Sequence, residues 1–239
     1  MSSTALQAAL YLIPVNISSA PLATVMPQEN IETARRIKHF IVENVRTARR
    51  FLKAADPAID IDSITFTELS EHTPESEVPA MLSAIEAGEA VGVMSEAGCP
   101  AVADPGALAV AEAQRRGMRV VPLVGPSSLL LALMGSGFNG QSFAFLGYLP
   151  FEASKRARAF SDMQRDIMHR RQTQIFIETP YRNNKLIAEL CRRMPAEMLL
   201  CVASDLTGPD EKITTMPLRR WATARYDYDR RPTVFLLFS

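Results

Sequence analysis

The chain has 239 residues, 47% of them hydrophobic, with 26 Lys and Arg against 26 Asp and Glu. That length and apolar content allow a substantial core in one large domain or two small ones, and exclude a disordered chain. The zero sum conceals an asymmetry, because division near Val124 leaves 10 basic and 15 acidic residues before the cut and 16 and 11 after it.

The uncharged start, Met1 to Gln28, has no positive segment and contains Pro14, Pro21 and Pro27, so it is not a targeting helix. Within it Ala9 to Val15 reads as a buried strand. Glu29 to Ala55 is basic and helix-rich, with a strand near Ile37 to Val42. Ile64 to Leu69 reads as a strand, Thr73 as an N-cap with Pro74 at the first helical position, and Gly88 as the end of that helix. Ala90 to Met94 is the next strand; Asp104-Pro105 caps a second helix, Gly117 ends it, and Arg119 to Leu123 is a strand. Two strand-plus-capped-helix repeats predict βαβ units with right-handed crossovers in a parallel sheet.

Val120 to Phe151 is a second uncharged stretch, rich in Gly and Pro. Its longest apolar run, Leu129 to Met134, is far short of the roughly 20 residues of a membrane span, so it reads as buried interior at or near a lobe junction. Strands follow at Phe143 to Leu149, Thr173 to Glu178, Met198 to Ala203, Lys212 to Met216 and Thr233 to Phe238. Helices are predicted from about Ser154 to Arg170 and from Arg182 to Met194. The fold class is α/β, with lobes at residues 1–124 and 125–239 and no membrane segment in a cytoplasmic protein.

Cys99, Cys191 and Cys201 have no CxxC spacing, and His39, His72 and His169 form no local metal motif, so no metal is indicated. The first 87 residues contain no glycine, which excludes a dinucleotide fingerprint after the first strand. The literal GxGxxG at Gly135, Gly137 and Gly140 follows a helix and precedes a strand, the reverse of the order a nucleotide loop needs. Attention therefore falls on the loop Ser95 to Gly106, which leaves a strand at the carboxyl end where open α/β sheets bind ligands. No Lys or Arg occurs from Glu89 to Gln114, which favours a neutral or cationic ligand. Asp104 also fits a plain N-cap, and Glu96 a solvated carboxylate.

The run Ser95 to Gly106 resembles the Ser-Asp-Ala-Gly-x-Pro-x-x-x-Asp-Pro-Gly signature of the tetrapyrrole methylase family, the class III S-adenosylmethionine-dependent methyltransferases, with Glu96 replacing the aspartate. Val120 to Pro126, Ser136-Gly137, Phe143 to Pro150 and Glu178 to Arg182 resemble segments of its ribosomal RNA small subunit methyltransferase I branch, a 2′-O-methylase of 16S rRNA. The resemblance implies two α/β lobes, a homodimer, and S-adenosylmethionine in the cleft between lobes. Carried over by position, the cofactor contacts are Pro14, Gly98, Cys99, Val102, Ser127, Ser128, Thr179, Leu206 and Pro232.

The chain departs from that branch at positions facing an acceptor: Pro14 to Ser19 lacks the branch's glycine, Glu43-Asn44-Val45-Arg46 replaces Glu-Asp-Thr-Arg, Glu71-His72-Thr73 replaces Glu-His-Asn, and Ser204 to Gly208 loses two cations. Methylation of a hydroxyl needs an aligned acceptor and a base. Glu43, Arg46, Glu71 and His72 are the candidates; a helical Glu43–Arg46 ion pair and a structural His72 are the plain alternatives. Basic stretches at Arg35 to Lys53 and Lys155 to Arg171 match the footprint of an RNA backbone or merely solvated helix faces. RNA methylation leads, followed by methylation of a tetrapyrrole or other small molecule, and by S-adenosylmethionine binding without catalysis.

Overall fold

The computed structural model describes residues 6–239; the first five residues of the uncharged start lie outside them. The chain divides into two compact units, Met1–Ser127 and Ser128–Ser239.

In the first unit, β1 (Leu10–Leu12), β2 (His39–Val42), β3 (Thr65–Glu68), β4 (Val91–Met94) and β5 (Val120–Pro122) form an all-parallel sheet in the order β3-β2-β4-β1-β5. Such a sheet is covered on both faces, so its inner strands β1, β2 and β4 are apolar at successive positions, while the edge strand β3 carries Thr65, Thr67 and Glu68. Tyr11, Phe40 and Val42 enter one core with Phe51 and Leu52, while Leu10, Ile41 and Val93 enter another with Leu82 and Ala109. Phe40 pairs in register with Gly92. A Cβ at Gly92 would come within 2.8 Å of the Phe40 ring, so glycine lets that ring lie across β4. The helices are α1 (Leu22–Val25), α2 (Gln28–Arg36), α3 (Val45–Ala55), α4 (Val78–Met81), α5 (Ser83–Glu86) and α6 (Gly106–Arg115).

Two expectations are corrected here. Thr73 does not cap a helix running to Gly88: its Oγ1 accepts the Ser70 N–H at 3.0 Å, and Pro74 is the extended residue before a 3₁₀ turn, Glu75–Glu77. The helix is broken into that turn, α4 and α5; Pro79 has no N–H to donate back to Glu75, which separates the 3₁₀ turn from α4, and a further turn at Leu82 separates α4 from α5. Nor is Val120 to Phe151 interior, since Val124, Met134 and Phe151 are 75, 78 and 84% exposed. Strand β5 is an edge strand, as is β6 (Phe143–Tyr148), and α7 (Ser128–Ser136) buries Ala132, Leu133 and Ser136 but leaves Met134 uncovered. Lack of charge does not bury an element that has only one covered face.

In the second unit the sheet order is β6-β7-β10-β8-β9, where β7 is Thr173–Ile177, β8 Leu199–Ser204, β9 Lys212–Pro217 and β10 Thr233–Phe238. Only β6 and β7 are parallel; the remaining pairs are antiparallel. Helices α8 (Ala153–Arg170), α9 (Asn183–Arg193) and α10 (Leu218–Trp221) pack a core around Phe160, Phe176, Leu200, Trp221 and Phe235. The fully buried Asn183 donates through Nδ2 to the carbonyls of Tyr228 (2.8 Å) and Arg231 (2.9 Å), tying α9 to the segment entering β10.

Candidate functional site

In the first unit the chain leaves β1 and crosses to β2, and β4 later fills the place between them. The exits of β1 and β4 therefore lie side by side at the carboxyl edge of the sheet, where open α/β sheets bind ligands. The Val15 N–H donates to Gly98 O at 2.9 Å in an isolated antiparallel bridge. Gly98 has φ +74°, and a Cβ there would lie 3.3 Å from Ile17. The Cys99 thiol donates to Pro126 O at 3.4 Å, and burial raises its pKa, so it stays protonated at neutral pH. Gly125 lies flat on the Pro14 ring, where an added Cβ would fall 2.2 Å from Pro14 Cβ. The structure thus brings Pro14, Gly98 and Cys99 together.

Val102, 49% exposed, stands on the outer arm of the loop between Ala101 and Ala103, whose φ values are 65° and 62°. An alanine in that region costs about 1–2 kcal/mol, so the loop is held against strain. Asp104 holds it, with Oδ1 accepting from Ala101 N (3.0 Å) and Gly106 N (2.8 Å). Ser127 is the last residue of this unit, and Ser128 opens α7.

Glu43 follows β2 directly, and Asn44 caps α3 by accepting the Thr47 N–H at 3.1 Å. Glu43 therefore lies outside the helix, and the alternative of a helical ion pair with Arg46 is not met. Arg46 is exposed and without an ion pair among the described residues. Glu43 Oε2 accepts the Glu96 N–H at 3.3 Å, while Glu96 Oε1 accepts from Thr47 Oγ1 at 3.1 Å, so the turns after β2 and β4 are stitched together. Partial burial raises the Glu43 pKa and the Glu96 N–H lowers it; the charges of Glu96, Asp104 and Glu71 raise it further, leaving it above the ordinary carboxylate value. Glu71 and His72 occupy an exposed turn after β3, with 3.6 Å between His72 Nε2 and Glu71 Oε1.

Beside this acidic edge lies a pocket of about 740 Å³ that the sequence did not disclose, lined among others by Asn16, Pro21, Thr47, Arg50, Phe51 and Glu96. Thr47, Arg50, Phe51 and Ala54 recur at helical spacing along α3. That was its only local signal, and it reads equally as a core face.

In the second unit, β10 pairs Thr233 with Ser204 and Val234 with Ile177, so the ends of β7 and β8 meet the start of β10 at one edge. Thr179, Leu206 and Pro232 all follow or precede those ends. Asp205 N–H donates to Pro232 O (2.9 Å), and Arg230 N–H to Pro180 O (2.9 Å). Behind Thr179, Glu178 Oε1 accepts its N–H at 2.9 Å, while Glu178 Oε2 pairs with the buried Arg156 at 3.2 Å. Arg156 also holds Glu189 at 2.8 Å.

Arg156 is thus not part of a solvent-facing basic patch, and its neighbours on α8 are similarly engaged. Lys155 pairs with Glu152, Arg158 and Arg165 with Asp162, and Arg170 with Asp166, while Arg171 lies over the Phe238 ring. In the first unit Arg35 pairs with Asp56, Arg49 with Asp62, and Lys53 donates to Ile59 O. Among the described residues no group of three or more His, Cys, Asp or Glu is placed to hold a metal, and no helix is long and apolar enough to cross a membrane.

The profile of the tetrapyrrole (corrin/porphyrin) methylases matches residues 9–222. The chain belongs to the tetrapyrrole methylase family. It is 28% identical over 222 residues to ribosomal RNA small subunit methyltransferase I of Vibrio cholerae, a match covering 93% of this chain and 73% of the relative. To that of Mesorhizobium japonicum it is 30% identical over 217 residues, covering 91% and 70%. Uroporphyrin-III C-methyl transferase from Thermus thermophilus, solved with S-adenyl homocysteine, shares the fold with a TM-score of 0.59 at 17% identity, covering 97% of each chain. A conserved hypothetical protein from Aeropyrum pernix K1 superposes with a TM-score of 0.68 at 17% identity, covering 98% of this chain and 85% of its own. This family member is an S-adenosylmethionine-dependent methyltransferase.

Proposed function

We propose that the protein methylates small-subunit ribosomal RNA at a ribose 2′-hydroxyl, acting in the cytoplasm as a homodimer. The observation that carries the reading is the carboxyl edge of the first sheet, where Glu43 accepts the Glu96 N–H at 3.3 Å and Asp104 braces a loop that contains no cation. When bound, S-adenosylmethionine supplies an activated methyl group on a positively charged sulfur and leaves as the neutral thioether. A cation-free loop with neighbouring carboxylates fits that charge. Pro14, Gly98, Cys99, Val102 and Ser127 are the residues of the first unit that would hold the cofactor.

Glu43 is the group best suited to take the hydroxyl proton, because its pKa is displaced toward the working pH of a base. Glu71 adds to the field, and His72 is a second proton acceptor in the adjoining turn. Arg46 and Arg50 lie one turn apart on α3, exposed and without ion pairs among the described residues, and Arg50 lines the large pocket. They suit the phosphates flanking an acceptor nucleotide in that pocket. The names of the Vibrio and Mesorhizobium relatives support ribosomal RNA as the acceptor. Exposed Met134 and Phe143 in the second unit support an apolar contact with a second copy.

The test is transfer of labelled methyl from S-adenosylmethionine to 30S particles and to a low-molecular-weight fraction, with the methylated nucleotide identified by mass spectrometry. Label confined to small molecules would sink the RNA reading, and no label in any acceptor would leave cofactor binding without catalysis. Sedimentation of the protein as a monomer would remove the homodimer.

A further inference from the structure

With the α8 cations engaged, the solvent-facing positive charge of the second unit gathers elsewhere. Helix α9 carries Lys185 and Arg192, both exposed and without an ion pair among the described residues. With Arg156, Arg182 and Arg193 they line a groove of about 240 Å³ in which Glu189 is the one carboxylate, already held by Arg156 and Arg193. At its mouth is Phe151, 84% exposed, with the guanidinium carbon of Arg182 at 4.6 Å from the ring centre.

An exposed phenylalanine held by an arginine beside unpaired cations is costly to keep in water and has little to do in the core. It supplies the two elements of single-strand nucleic-acid contact: a flat face for an unstacked base and charges for the phosphates on either side. The groove is too small for a folded partner but suits a nucleotide or two.

We infer that the Phe151–Arg182 pair and the Lys185/Arg192 face of α9 form a binding subsite for single-stranded RNA, in which a base stacks on Phe151 and its flanking phosphates meet Lys185 and Arg192. This inference rests on the RNA reading above and adds a contact in the second unit. The contact reads no sequence; it anchors a strand whose acceptor nucleotide is handled elsewhere. Because Phe151 lies outside the core, its removal leaves the fold intact.

The experiment measures anisotropy of a fluorescein-labelled oligoadenylate of roughly ten nucleotides over a range of salt, with full-length protein. Phe151→Ala is expected to weaken binding about tenfold with an unchanged salt slope, and Phe151→Tyr to restore it. Lys185→Gln/Arg192→Gln is expected to reduce the slope of log affinity against log salt by about 1.4, the contribution of two phosphates on a single strand. Melting temperature and S-adenosylmethionine affinity should match the wild type in each variant. Affinity within twofold of wild type for Phe151→Ala, an unchanged slope for the double variant, or no binding of the oligonucleotide by the wild type overturns the subsite. Methyl transfer separates it from the reading it rests on. RNA labelling that Phe151→Ala leaves untouched removes the subsite alone, whereas Phe151-dependent RNA binding with no labelling of RNA removes the acceptor assignment and keeps the subsite.

Discussion

Gly125→Ala tests the cradle at the exit of β1. The new Cβ would sit 2.2 Å from Pro14 Cβ and 2.5 Å from Pro14 Cγ. Unbonded carbons settle at about 3.5–4.0 Å, so the two segments must part by more than about 1 Å. The proline ring cannot rotate aside. Pro14 is followed by Val15, which is bonded to Gly98, while Gly125 is followed by Pro126, whose carbonyl takes the Cys99 thiol. Displacement therefore reaches both arms of the cofactor loop. Overpacking of this kind costs about 1–3 kcal/mol, or roughly 3–10 °C in melting temperature for a unit of this size. Misplacement by about 1 Å lowers turnover by about 10²-fold. Calorimetric titration of S-adenosylmethionine and labelled methyl transfer measure the two effects. Pro14→Gly removes both clashing atoms, so the double variant should recover much of the affinity lost by Gly125→Ala, a coupling visible in a double-mutant cycle. If Gly125→Ala binds the cofactor within twofold of wild type and melts within about 1 °C of it, the cradle is not rigid and the reasoning fails.

Glu43→Gln should lower methyl transfer by about 10²–10⁴-fold with little change in cofactor affinity, and wild-type turnover should fall on acidification with an apparent pKa above the ordinary carboxylate value. Because the folded state holds the Glu43 proton more tightly than the unfolded chain, ionised Glu43 costs stability as pH rises from the unfolded carboxylate pKa through the folded one. Glu43→Gln should accordingly be as stable as wild type or more so in urea at neutral pH, with the advantage lost below about pH 4; a variant less stable only at neutral pH would contradict this. Asp104→Ala strands two loop N–H donors and should cost about 1–3 kcal/mol, with faster hydrogen exchange at Ala101 and Gly106, whereas Asp104→Asn keeps an acceptor and most of the protection. Arg156→Met leaves Glu178 and Glu189 without their buried cation and should cost about 3–5 kcal/mol by urea unfolding; Arg156→Met/Glu178→Gln should recover part of it, and full additivity would argue against the network.

The loop from Ser95 to Gly106 was legible in sequence because its chemistry is local: small residues, stiffening prolines, an aspartate two places before a helix, and no cation. Most strands were legible for the same reason, as short apolar or β-branched runs bounded by turn residues. What was not legible depends on which residues meet. The outer signals, Thr73-Pro74 and Gly88, suggest one continuous helix, whereas Pro79 and the turn at Leu82 divide it. Glu43 and Arg46 look like a helical pair until Asn44 proves to be the cap, which leaves Glu43 before the helix. The pocket beside α3 is assembled from Asn16 and Pro21, from Arg50 and Phe51, and from Glu96, positions some eighty residues apart at the extremes, and no spacing rule joins them.

Charge is the sharpest case, because a sequence counts charges while a ligand meets only those left unpaired. The two basic stretches hold thirteen cations, seven from Arg35 to Lys53 and six from Lys155 to Arg171, yet every one in the second stretch has a carboxylate or an aromatic ring for company. Surface pairs of that kind contribute little stability, but they cancel field over a Debye length, so α8 presents RNA with much less than its sequence promises. Helix α9, with fewer cations, presents more, because Lys185 and Arg192 form no ion pair among the described residues and Glu189 beside them is already held by Arg156 and Arg193. The same logic runs with the opposite sign in the first unit. Its acidic surplus is neutralised along α6, where Arg115 and Arg116 hold Glu112 and pull its pKa down to about 2, and persists at the β2–β4 edge, where Glu43 has only the Glu96 N–H to oppose its neighbours. The acidic edge of the first unit and the cationic groove of the second both follow from where pairing stops.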